Sequence, residues 1–208
     1  MDLYGKDFIV SQDWTKAELD ELLDLAAKMK RDRFSPRWTS ILAHKTFFMF
    51  FYNPSVRTRQ SFECAATELG GHAQFLEPGA MRLKTATTAG ETTEDAARVM
   101  ARYACGIGLR ILEDKVPHYG AGNDLLREYA RYADVPILNM ADDKFHPCQG
   151  MADVMGWAEW FGEGPGRPDY ENLKGKNFLL TWASGALARS GCRVQEALVV
   201  ASRFLMAV

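Results

Sequence analysis

The chain of 208 residues is 47% hydrophobic and 25% charged, ordinary globular values far from the weakly hydrophobic, highly charged range of disordered chains. A formal net charge of -2 gives no global attraction to nucleic acid or an anionic membrane, so neither is expected as a partner and any anion must be held by a local cluster of cations. Cys64, Cys105, Cys148 and Cys192 stand far apart without a C-x-x-C pair, the N-terminus lacks a signal-peptide layout, and the apolar run 47–52 is far below the roughly 20 residues that cross a bilayer, so a cytoplasmic protein is expected.

Residues 11–34 open with Thr15 and Glu18 in capping-box spacing and continue with Leu19, Leu22, Leu23, Leu25 and Ala26, which predicts an amphipathic helix. Residues 45–52 (KTFFMFFY) read as a strand covered on both faces. Asn53 and Pro54 break it, helical periodicity resumes over 61–69, and Gly70 and Gly71 end the helix. Strands are then expected at 72–76, 106–112 and 135–140, and helices at 93–103, 124–132 and 147–161.

This alternation predicts an α/β fold, a parallel sheet flanked by helices, over residues 1–161, with ligands at the carboxyl ends of the strands. Residues 162–175, opening GEGPGRPDYENLK, are rich in Gly, Pro and charge and are read as a linker. Residues 176–208 are read as the start of a second α/β domain, apparently truncated: a strand at 177–182, a loop at 183–192, a helix at 194–204, and a final LMAV resembling the start of another strand.

Ser55, Val56, Arg57, Thr58 and Arg59 follow a buried strand and precede a helix, where free N–H groups and the helix dipole favour an anion. Two hydroxyls and two guanidiniums offer a phosphate directional and bidentate hydrogen bonds. The same residues also fit a capping serine with two solvated arginines. His146 and Gln149, in HPCQ, follow another strand and open a helix; they suit proton or hydrogen-bond donation, although a histidine before a helix-starting proline is also a common turn residue.

Arg110 lies in an otherwise apolar strand and needs either an ion-pair partner or a ligand at the strand end. Arg82 and Lys84, within the polar stretch 81–91, fit a lid over an anion or a plain solvated loop. Cys148 has no identified base beside it and is read as unreactive, while Trp157, Trp160 and Phe161 follow helical spacing and are read as core. No strand is followed by G-x-x-x-x-G-K-[ST] or G-x-G-x-x-G, which disfavours a generic nucleotide-binding domain.

Three signals converge: FYNPSVRTR followed by SFE and LGGHA, the arginine of IGLR, and FHPCQGMADV. Together they resemble the aspartate/ornithine carbamoyltransferase family over residues 45–204. The resemblance implies a carbamoyl phosphate site of Ser55, Val56, Arg57, Thr58, Arg110, His146 and Gln149. It implies catalytic roles for Arg110, His146 and Thr58, with Arg110 and His146 at the carbonyl oxygen. It implies no metal or organic cofactor, and a homotrimer in which Arg82 and Lys84 reach an adjoining site.

The cysteine of HPCQ resembles the ornithine branch. FYNPSVRTR, LEPG and NLKGKNFLLTW are similar to N-acetylornithine carbamoyltransferases, and HYGAGND to a related group whose acceptor is unclear. An acceptor of the ornithine or N-acylated ornithine class and a citrulline-type product are therefore expected, the alternatives being another amine acceptor or a truncated, non-catalytic carbamoyl phosphate binder or assembly partner. The family's acceptor-binding domain continues further and includes an H-C-L-P segment that this chain does not contain.

Overall fold

The computed structural model describes residues 2–84, 89–181 and 190–207. Four parallel strands, β1 (Thr46–Phe51), β2 (His72–Leu76), β3 (Ala104–Arg110) and β4 (Ile137–Ala141), form a sheet in the order β2-β1-β3-β4. Six α-helices are described: α1 (Lys16–Arg31), α2 (Val56–Glu68), α3 (Thr93–Ala101), α4 (Ala121–Tyr132), α5 (Pro147–Phe161) and α6 (Cys192–Arg203). The expected α/β fold is present. The chain moves outward from β1 to β2 and then returns to β1's other side for β3, which makes the carboxyl ends of β1 and β3 the switch point where such sheets bind ligands.

Alternation along β1 explains why it is apolar throughout. Phe48 and Phe50 enter a core with Ile107, Leu109, Leu126, Tyr129 and Ile137, whereas Phe47, Met49 and Phe51 face Met140 and the partly buried Phe62 and Phe75. Gly108 lets Met140 pack closely, since a Cβ there would lie 2.8 Å from the Met140 sulfur. At the β4 edge Phe8 adds a parallel bridge to Leu138, with the Phe8 N–H donating to the Ile137 carbonyl at 2.8 Å.

The capping box at α1 is formed, with Thr15 accepting from the Glu18 N–H and Glu18 from the Thr15 N–H. Leu19 and Leu23 on α1, Met151, Val154 and Ala158 on α5, Leu173, Val200 on α6 and Phe204 at its C-cap make one core with Phe8 and Trp14. The apolar face of α6 is thus buried on α1 and α5. Gly150 permits the α5–α6 approach, because a Cβ there would meet the Glu196 Cγ at 2.6 Å.

Two expectations need correction. Trp160 was read as core but is 83% exposed, and Phe161 is 39% exposed. The buried face of α5 runs through Gly150, Met151, Val154 and Ala158, and Trp160 falls about 200° round the helix from Ala158; Trp157 alone of the three packs, against Phe178 at 5.1 Å. Of the strand expected over 177–182, the described part holds a single parallel bridge, Asn177 to Ala207, flanked by a bond from the Phe178 N–H to the Ala207 carbonyl at 2.7 Å. Trp182 and most of the loop expected at 183–192 lie outside the described residues.

Candidate functional site

The turn after β1 is tied to the turn after β3. Asn53, buried, accepts from the Leu112 N–H at 2.8 Å and donates to the Asp114 carboxylate at 2.6 Å. Ser55 is then held extended and its Oγ accepts from the Thr58 N–H at 3.2 Å, making it the N-cap of α2. Both readings of the motif meet here, since a capping serine also presents its hydroxyl at the helix's positive end. Val56 and Arg57 are the first two helical residues, so their N–H groups have no carbonyl one turn earlier, and no acidic residue stands in that turn.

His146 is the N-cap of α5, with Pro147 behind it and again no acid in the first turn. It is 8% exposed and its Nδ1 has no partner among the described residues. Burial, aided by Arg110 and Arg193, pushes the imidazole down to about 4, so at neutral pH it is an uncharged ring that can donate one N–H. Arg110, the last residue of β3, is 6% exposed; Nη1 donates to the Met140 carbonyl at 3.5 Å, Nε has no partner, and it forms no ion pair among the described residues. Burial lowers its pKa, and Arg193 and Arg57 act in the same direction.

The loop between β4 and His146 is set by Asp142. Its carboxylate accepts from Asn123 Nδ2 at 2.6 Å, Asn139 Nδ2 at 2.9 Å, and the N–H groups of Lys144 and Phe145 at 2.7 and 2.5 Å. Ala141, in β4, has φ 148, a rare conformation for a side-chain-bearing residue, beside a register shift between Leu109 and Arg110. The irregularity falls where Arg110 leaves the sheet.

Ser55, Arg57, Thr58, His146, Gln149 and Arg193 share the lining of one cavity of about 230 Å³. Five of these were expected from the sequence. Val56 contributes its N-terminal N–H position, its side chain being exposed. Gln149 donates to Asp153 at 2.8 Å. Arg59 is not in the cavity: it pairs with Glu63 at 2.9 Å and stacks on Phe75 at 4.0 Å, so one guanidinium of the motif is structural. Arg82 and Lys84 do not line it either; Lys84 lines a separate cavity with Tyr52 and Tyr129, and the Lys84 N–H donates to the Glu91 carbonyl at 2.7 Å. Burial, with the Glu196 carboxylate, pushes the Cys148 thiol up to about 12, in keeping with an unreactive cysteine.

Arg193 was not picked out from the sequence. It lies one residue before the expected start of the last helix, and only the docking of α6 on α5 brings it here. A larger concavity, about 790 Å³, opens between α1 and the segment after α5; its lining mixes Asp20, Asp24 and Glu163 with Lys28, Arg31 and Arg167, and it sits at the other end of α5 from His146. The smaller cavity combines cations, free N–H groups and a neutral imidazole, which suits a phosphoryl dianion and an adjacent carbonyl oxygen that gains negative charge.

Residues 6–159 match the model of the aspartate/ornithine carbamoyltransferase carbamoyl-P binding domain. The chain belongs to the aspartate/ornithine carbamoyltransferase family. Among its carbamoyltransferase relatives, the N-acetylornithine enzyme of Xanthomonas axonopodis pv. citri is 36% identical over 212 residues, covering 98% of this chain and 58% of that protein. The ornithine carbamoyltransferase of Methanospirillum hungatei is 42% identical over 150 residues, 72% of this chain and 45% of that protein.

The crystal structure of acetylornithine transcarbamylase complexed with acetylcitrulline is 35% identical, with a TM-score of 0.81, over 96% of this chain and 59% of the other. A variant of N-acetyl-L-ornithine transcarbamylase complexed with carbamyl phosphate and N-succinyl-L-norvaline superposes with the same TM-score, identity and coverage. This chain spans under two thirds of the length of these carbamoyltransferase relatives. The matched domain contains every cavity residue named above except Arg193.

Proposed function

We propose that the cavity binds carbamoyl phosphate and that the chain, as part of a carbamoyltransferase, moves the carbamoyl group to the side-chain amine of ornithine or an N-acylated ornithine. The products are a citrulline-type compound and phosphate, within arginine metabolism. The observation that carries this reading is the meeting of Arg57 and a neutral His146 in the lining of one cavity at the sheet's switch point, with Arg110, not itself in the lining, buried close enough to act on both, and with no ion pair to any of the three among the described residues. The reading is supported by relatives and solved structures named for N-acetylornithine and ornithine.

In this reading the α2 N-terminus, Ser55, Arg57 and Thr58 hold the phosphate, while Arg110 and His146 donate to the carbamoyl oxygen. As the amine attacks the carbamoyl carbon, charge grows on that oxygen and on the departing phosphate, and donors already in place stabilise both. Gln149 positions the carbamoyl amide. The reading also includes a cytoplasmic homotrimer in which Arg82 and Lys84 serve a neighbouring site, consistent with their absence from this cavity's lining.

Calorimetric titration with carbamoyl phosphate, followed by a ureido-product assay with ornithine and N-acetylornithine, tests the proposal. Saturable binding and product formation, both lost in Arg57→Ala, are expected. Normal turnover in that variant overturns the site assignment, and binding without turnover with either amine overturns transfer by this chain. Sedimentation analysis tests the trimer, which a monomer at working concentration overturns.

A further inference from the structure

We propose that Arg193 is a third cationic arm of the phosphate site, delivered by α6 and lying beyond the segment that matches the family's carbamoyl-phosphate domain. The inference rests on the reading of the cavity as a carbamoyl phosphate site.

The position of Arg193 is fixed by its helix. The Glu113 carboxylate, just past β3, accepts from the Gly191 N–H at 3.0 Å and from Ser190 Oγ at 2.7 Å, which anchors the start of α6 beside the strand end that carries Arg110. One turn further, Tyr119 donates to Gln195 at 2.8 Å, and the buried Glu196 accepts from Ser11. Arg193, in the first turn, therefore stands over the cavity on a helix held from several sides.

The side chain itself is exposed and makes no hydrogen bond or ion pair among the described residues. It is close enough to Arg110 and His146 to oppose positive charge on both. Arg57 and Arg193 line the cavity of about 230 Å³ and both oppose the charge of Arg110 beside it, with Asp153 on α5 and Glu113 past β3 offsetting part of that repulsion. The first turns of α2 and α5 contain no acidic residue, so two positive helix ends add to the same field, while the Glu113 carboxylate caps the start of α6. A dianion relieves this arrangement. The partnerless Nδ1 of His146, on a residue more than nine-tenths buried that lines the cavity, independently marks it as a ligand site.

The test is calorimetric titration of the full chain with inorganic phosphate and, separately, carbamoyl phosphate. Arg193→Ala is expected to weaken both roughly tenfold, as for one lost charge-assisted hydrogen bond, and Arg193→Glu more. Arg131→Ala, an exposed arginine at the far end of α4, controls for net charge and is expected to leave affinity unchanged. Thermal melts confirm folding, since Arg193 makes no hydrogen bond or ion pair among the described residues. If Arg57→Ala abolishes binding while Arg193→Ala binds as tightly as the unaltered chain, the third arm is overturned and the site reading stands. If the unaltered chain binds neither probe, both fall.

Discussion

Arg110 and His146 meet at the carboxyl end of the sheet as two buried donors, each with a ring or guanidinium nitrogen that has no partner among the described residues. Burial first, and then Arg110, keeps the imidazole at about 4. The unliganded protein is therefore expected to show no His146 titration between about pH 5.5 and 8 in histidine-edited NMR spectra. Saturation with phosphate, a dianion, shifts the transition upward. A His146 midpoint near 6.5 in the free protein refutes the buried geometry.

Two arginines separated by one residue differ in role. Arg57→Ala is expected to remove phosphate binding at least tenfold while changing stability by no more than about 0.5 kcal/mol. Arg59→Ala removes a half-exposed ion pair to Glu63 and a stack on Phe75, together about 1 kcal/mol, and leaves affinity within about twofold. Paired urea melts and phosphate titrations check this, and reversed effects refute the assignment.

The contrast shows what was legible in the sequence. The strands and the cap at Thr15 could be read because their patterns answer to local rules and to burial on the sheet. Helix α2 begins at Val56, five residues before its apolar period becomes visible, because Arg57 and Thr58 line the cavity and Val56 is exposed, so its first turn buries no apolar side chain. The anion motif and HPCQ were visible as local chemistry at strand ends. Arg59's pairing with Glu63 is a local i,i+4 contact, hidden only because the helix was expected to start later, whereas its stack on Phe75 and the position of Arg193 depend on tertiary packing and leave no local trace. Trp160 follows helical spacing but lies off the buried stripe, which only the packing of α5 defines.

Asp142 is expected to matter for His146 without touching a ligand. Asp142→Ala leaves two side-chain amides and two backbone N–H groups without their acceptor in a buried turn, at a cost of about 3–5 kcal/mol. Asp142→Asn keeps the shape but turns an NH₂ towards donors and is expected to cost about half as much. Urea denaturation measures both, and phosphate titration of the Asn variant is expected to show weakened binding through displaced His146. Parent-like stability in Asp142→Ala refutes the role.

Glu196 and His146 oppose each other in the pH dependence of stability. Glu196 is fully buried between α6, α5 and the N-terminal segment, facing Ser11, the His146 backbone N–H, Cys148 and Asp142, and burial raises its pKa from 4.5 to about 7. Its contribution is fully present below 4.5, where folded and unfolded chains are both protonated, and is lost as pH rises through 7. His146 is lowered from 6.5 to about 4, so its contribution is present above 6.5 and is lost as pH falls through 4. Each departure is worth roughly 3 kcal/mol, and between about pH 4.5 and 6.5 the two slopes have opposite signs and similar size. Glu196→Gln is therefore expected to make stability, relative to the parent, rise with pH across that window, and His146→Gln to make it fall. Urea melts at half-unit pH steps read both differences. Parallel curves for parent and Glu196→Gln would show that the carboxyl is not held protonated in the fold.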